Sequence, residues 1–271
     1  MNATSLVWYA LLLVGGTVWG CWLRQHVTRP RDWLPLERPL DLYEVAYLSG
    51  GPRRVADTAL TRLVDHDALR VSRHGRVHAT GRVVTDPTGQ VDAVDAHLLA
   101  LTAVPGGVPA DRLVTCLAAS PAVDFLGRWL VERGLAAPPA DVRRARWLST
   151  TPLHGLAAAM GLHLVLGVGA HRPGLAGLVL VTELFAVLLH QFPPGVATPL
   201  GQRVLHDVEE ARRTGAAPPP QLAAAMAGAA GQVAVGGLAA HPDSPLRRAL
   251  SRRGERAWAW CWPSSSSCSS S

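Results

Sequence analysis

Two side chains stand out for chemistry because of where they lie. Glu183 sits in the middle of the apolar stretch 173–192, and His163 sits inside the apolar stretch 152–170. An ionisable group surrounded by hydrocarbon is costly, which makes it a functional-site candidate unless a partner satisfies it. The two stretches are separated by His171-Arg172. As an antiparallel hairpin they would bring His163 and Glu183 within about one helical turn of the same depth. One reading is a proton- or ion-linked pair. The plainer one is a neutral Glu183 hydrogen-bonded to His163, Thr182 or backbone, holding the hairpin together. A transporter of so few spans would have to act as a homo-oligomer.

The second set is basic. Arg53, Arg54, Arg62, Arg73 and Arg76, with Arg70 and Arg82 beside them, fall in one stretch. Arginines at this density contact phosphate, an acidic protein surface or anionic lipid. Asp57, Asp65 and Asp67 lie among them and dilute the field. This favours a protein-interaction face over a DNA-binding one, with nucleic acid kept as the alternative.

Enzyme chemistry has no motif behind it. There is no GxSxG, P-loop or HExxH. The four cysteines form no CxxC, and the 11 histidines show no ligand spacing. We therefore expect no enzyme, no metal and no cofactor.

The elements that must position these residues begin with the apolar segments. Hydrophobic residues make up 48% of the 271 and charged residues only 17%, against about 25% charged in ordinary soluble domains. Residues 5–23 carry no charge and, at about 1.5 Å per residue, would reach roughly 28 Å as a helix. With 152–170 and 173–192 this gives an expectation of three transmembrane helices. Arg24, Arg29 and Arg31 follow the first segment, and Arg143, Arg144, Arg146, Arg203, Arg212 and Arg213 flank the hairpin. The positive-inside rule then puts the N-terminus outside, the C-terminus inside and the chain in the inner (plasma) membrane, with the lipid bilayer as its first partner.

Between the first segment and the hairpin lies a Pro-containing linker, 24–40, and then a region, 41–148, expected to be cytoplasmic. Asp41 and Glu44 read as a capping box for a short helix through Leu48. Gly50-Gly51 breaks that helix, and Pro52 opens a second one with Val55, Ala59, Leu60, Leu63 and Val64 at helical spacing. Leu69–Val71 and Arg76–Thr80 read as strands around a turn at His74-Gly75. Helix, helix and two-stranded ribbon is the order of a winged-helix-like module. Helices over 92–104, 109–118 and 121–133 follow. Asp57 and Asp124 stand at matching places in two stretches, 41–81 and 92–137, that read either as a diverged repeat or as unrelated helix ends. Residues 199–250 read as a further helical segment, with an amphipathic helix over 199–213. The Trp/Ser/Cys tail, 254–271, reads as disordered.

The run Leu42-Tyr43-Glu44-Val45-Ala46-Tyr47-Leu48, followed by Gly50-Gly51-Pro52-Arg53-Arg54, resembles a family of uncharacterised actinobacterial membrane proteins with an LYEVAYLxGGPRR-type N-terminal domain. Many of these end in a Gly/Cys-rich tail. Here Ser stands for Gly in that tail, and only Cys261 and Cys268 remain of its cysteines. The resemblance implies an architecture and no activity. The expected fold is thus a mainly α membrane protein of three spans with a cytoplasmic winged-helix-like domain that meets a protein partner.

Overall fold

The structure is a computed structural model. It describes residues 40–72, 75–85, 89–144, 196–214 and 228–243, together with isolated positions elsewhere. Contacts divide the chain into two compact units, one of Met1–Leu34 with Arg133–Gln202 and the other of Pro35–Glu132 with Arg203–Ser271.

The second unit is built around one kinked helix, α1 (Leu42–Asp65). Its start is the expected capping box: the Asp41 N–H donates to Glu44 Oε2 at 2.8 Å, satisfying a donor that helix geometry leaves over. Inside it Gly51 takes φ 72 and ψ −164, a conformation a residue with a Cβ rarely adopts. Pro52 then starts the second segment, where its missing N–H costs nothing. The sequence break at 50–52 is therefore a kink within a continuous packed element. At its far end, the Ala68 N–H reaches Leu63 O at 2.8 Å and the Asp67 N–H reaches Val64 O at 3.0 Å. That is a Schellman-type stop, with Asp67 at φ 56 where glycine is usual.

Strands β1 (Leu69–Val71) and β2 (Arg76–Ala79) pair antiparallel, with Leu69 opposite Ala79 and Val71 opposite Val77. A third strand, β3 (Val108–Pro109), adds to the other side of β2, with Val77 opposite Val108. The expected two-stranded ribbon is thus one part of a three-stranded sheet of order β1-β2-β3. Helices α2 (Ala93–Thr102), α3 (Ala110–Ala118) and α4 (Pro121–Glu132) lie within a residue or two of their expected places. All three pack on α1. Leu60, Leu63, Leu98, Leu113, Leu117 and Leu130 are fully buried among them. Truncating any one of these to Ala would cost about 2–5 kcal/mol.

Helix α5 (Pro199–Thr214) follows the amphipathic prediction. In the first unit, Thr198 caps its start: the hydroxyl accepts from the Gly201 N–H at 3.2 Å and donates to Gly134 O at 2.7 Å. Ala136 and Ala197 form an antiparallel bridge there. Helix α6 (Gly228–Gly236) and a 3-10 turn over Leu238–Ala240 belong to the second unit. α6 makes the most extensive helix–helix contact in the described residues, and makes it with α1.

The membrane architecture is corrected. Among the described residues, no single helix is long and apolar enough to cross a membrane. α1 has 24 residues but is kinked and carries Glu44, Arg53, Arg54, Asp57, Arg62 and Asp65. α3 and α4 together pass on length and composition as a pair bent by 46°. Their apolar residues Leu113, Leu117, Val123 and Leu130 are buried core. What the structure supports is a mostly helical chain with a small three-stranded sheet; three transmembrane helices are not shown. The stretches 5–23, 152–170 and 173–192 lie outside the described residues except for isolated positions, as do most of the 24–40 linker and the whole 254–271 tail.

Candidate functional site

Two constellations in the second unit involve charged groups brought together from distant parts of the chain. The first is sealed in the core. Tyr43, on the first segment of α1, donates its hydroxyl to Asp95 Oδ1, in the first turn of α2. Arg62, on the second segment of α1, brings Nη1 to 2.9 Å from Asp95 Oδ2 and to 3.4 Å from the Tyr43 hydroxyl. Its guanidinium also lies 5.7 Å from the centre of the Tyr43 ring. Asp95 Oδ2 sits at ion-pair distance but receives no aligned hydrogen bond, so the attraction there is charge to charge. The Asp95 side chain is 0% exposed and that of Arg62 is 18% exposed.

Burial dominates the electrostatics. It pushes the Asp95 carboxyl from its ordinary 3.8 up to about 6, against the pull of the Tyr43 hydroxyl and the Arg62 charge, and Asp92 and Asp41 push it further. The Tyr43 hydroxyl is driven well above its ordinary 10 by burial and then by the Asp95 charge. Asp92 is likewise raised by burial while its side chain caps α2, accepting from the Val94 N–H at 2.8 Å. The arrangement locks the α1 kink to α2.

The second constellation is a clamp on α6. Ser49, beside the kink, donates to Ala234 O, and Arg54 Nη1 donates to Val233 O at 3.4 Å. Both acceptors belong to the last turn of α6, which carries the negative end of the dipole; Val233 O also accepts from the Gly237 N–H at 2.8 Å. Near the other end of α6, burial raises the Asp65 carboxyl above its ordinary range, opposed by the charge of His241 and by a hydrogen bond from the Ala230 N–H. Every one of these tethers is a side chain of α1. Gly50 makes the fold-back of Arg54 feasible, since a Cβ there would lie 2.6 Å from Arg54 Nε. Gly237 ends α6 at φ 79, and a Cβ on it would lie 1.7 Å from Arg54 Nη1. Beyond it, His241 is buried, with Nδ1 accepting from the Asp243 N–H at 3.0 Å.

The expected arginine face is distributed rather than shared. Arg53 is exposed. Arg54 is spent on α6, with burial lowering its pKa against the pull of Asp57. Arg62 is spent on Asp95. Arg76 donates to Gly106 O at 2.8 Å and Gly107 O at 2.6 Å, fastening the turn before β3. Arg73 lies outside the described residues, as do His163 and Glu183. The segment 52–65, which a DNA-reading module would lay in a groove, buries Val55, Ala56, Asp57, Thr58, Ala59, Leu60, Thr61 and Leu63.

The run 42–54 turns out to be structural. Leu42, Tyr43, Glu44, Ala46, Tyr47 and Leu48 are buried, Gly51 is the kink, and Pro52 restarts the helix. Sequence reasoning missed Asp95, Ser49 and Gly237. For Asp95 a signal existed: it stands three residues before Leu98, on the apolar face of its helix. Nothing local marks Ser49 or Gly237, because their partners are 185 residues away for Ser49 and in α1 for Gly237. A shallow cleft of about 460 Å³ lined by Asp65, His66, Asp67, Arg82, Val83, Val84 and Thr85 lies at the end of α1. Among the described residues no group of His, Cys, Asp and Glu is placed to hold a metal ion.

Comparison with known proteins returns no matching family model, no matching curated protein and no matching solved structure.

Proposed function

We propose that the second unit is a protein-interaction module and that its working surface is the helix-receiving side of α1. The observation that carries this is the α1–α6 contact, in which a short helix is held against α1 by apolar packing and by hydrogen bonds from Ser49 and Arg54. Recognition of a helix laid against a groove and fixed at its ends is a common mode of protein binding. The alternative of nucleic-acid contact is disfavoured by the engagement of Arg54 with α6 and of Arg62 with Asp95. The test uses the purified full chain. Retention of a stoichiometric protein partner, surviving nuclease and lost on Arg54→Ala, supports the module. Duplex DNA binding at low salt that weakens steeply as salt rises would replace it with the alternative.

A further inference from the structure

We propose that α6 is an exchangeable ligand of α1: the surface between Ser49 and Asp65 binds residues 228–241 as a helix and accepts that segment from a second copy of the chain. This rests on the reading of α1 as a helix-receiving surface and names the occupant.

The first support is length. α6 has nine residues, and helices below about 12–15 residues are not stable alone in water. Its helical form is therefore made by the surface it lies on. The second is that the site is self-contained. The apolar side of α6 (Ala230, Gly231, Val233 and Ala234) is buried, its extensive tertiary contacts run to α1, and among the described residues the side chains that hydrogen-bond its last turn, Ser49 and Arg54, belong to α1. Nothing in the contact requires the two helices to belong to one chain. The third is the connection. Residues 215–227, GAAPPPQLAAAMA, join α5 to α6 and, extended, reach roughly 45 Å. A tether of that length lets α6 leave one copy and dock on another with every native contact reproduced, which is the condition for reciprocal exchange.

The recognition chemistry is specific. The occupant needs small residues where Ala230, Gly231 and Ala234 lie, so that the backbones approach. It needs a helix end whose carbonyls meet Ser49 and Arg54. It also needs glycine at the position of Gly237, for its φ of 79 and because a Cβ there would collide with Arg54.

The test is fluorescence anisotropy with a labelled peptide of residues 226–243, titrated with the full chain and with the full chain carrying Gly237→Ala. In the variant the resident α6 is expelled, so the peptide should bind about tenfold more tightly than to the wild-type chain, whose own α6 competes at an effective concentration on the order of millimolar. A peptide carrying Gly237→Ala should bind neither. Sedimentation of the wild-type chain provides a measurement that needs no variant to fold: dimer formed at high concentration should dissolve on adding excess wild-type peptide but not on adding the Gly237→Ala peptide. Absence of saturable binding to both chains, or equal binding of the two peptides, overturns the proposal. Such a failure leaves partner retention by the full chain untouched, whereas DNA binding would remove the reading beneath it.

Discussion

Replacing Arg62 with Met tests the electrostatic account of the core directly. The substitution keeps most of the side-chain volume and removes the cation beside Asp95. With Arg62 present, the Asp95 carboxyl already titrates at about 6 instead of 3.8. A shift of that size corresponds to about 3 kcal/mol by proton linkage. The sign follows from which state binds the proton. Between 3.8 and about 6 the folded chain holds a proton that the unfolded chain has released, so stability falls as pH rises through this window. Below it both states are protonated and no cost remains. Removing Arg62 takes away the counter-charge of a buried carboxylate, but the carboxyl can take up a proton instead. With the wild-type group titrating at about 6, that uptake caps the charge-dependent cost at pH 7 at about 1.4 kcal/mol, one pKa unit. Arg62→Met should therefore be destabilised by about 1 kcal/mol more at pH 7 than at pH 4, where Asp95 is neutral in the folded chain with or without Arg62. Asp95→Asn should flatten the acid-side slope that Asp95 contributes, leaving the smaller contribution of Asp92. Urea denaturation followed by far-ultraviolet circular dichroism at both pH values reads these differences without adding salt. An equal cost of Arg62→Met at pH 4 and pH 7 would refute the charge argument and leave only lost packing.

Two further substitutions check the local geometry. Asp67→Gly removes a side chain from a left-handed position, φ 56, at the loss of an exposed Arg82 contact of 3.4 Å that contributes little. It should raise stability by about 1 kcal/mol, measured as a higher Tm. Gly127→Ala would place a Cβ 2.4 Å from the Tyr47 hydroxyl. The α4–α1 packing should lose about 1–3 kcal/mol, and Tyr47→Phe in the same chain should recover part of it by opening the space.

The chain's local grammar was legible in its residues. Asp41 with Glu44 announced a capping box, Gly50-Gly51-Pro52 announced a break, and the periodicity of Val55, Ala59, Leu60 and Leu63 announced the buried face of the second segment. These signals operate over a few residues, where backbone sterics and helix period act. The helices after Asp92 and the ribbon strands were readable for the same reason. Other features depended on pairs far apart in sequence. Arg54, Arg62 and Arg76 looked like one basic face, yet each is consumed by a different distant group: the end of α6, Asp95 and the carbonyls of Gly106 and Gly107. Charge listed along a chain does not say which side chains the fold already uses. β3 was invisible because a strand of two residues has no period. Apolar composition suggested three spans at 5–23, 152–170 and 173–192, which lie outside the described residues except for isolated positions. Within the described residues, α3 with α4 passes on length and composition as a bent pair although its apolar residues are buried core, because hydrophobicity alone does not distinguish a helix that faces lipid from one that faces a core.

The sequence by itself therefore determined where helices start, stop and kink, because those choices are made by caps, glycines and prolines acting on their neighbours. Only the tertiary structure decided that Tyr43, Arg62 and Asp95 share one sealed site and that α1 is clasped to α6. Burial and desolvation, which set the worth of every charge here, arise only once distant segments exclude water together.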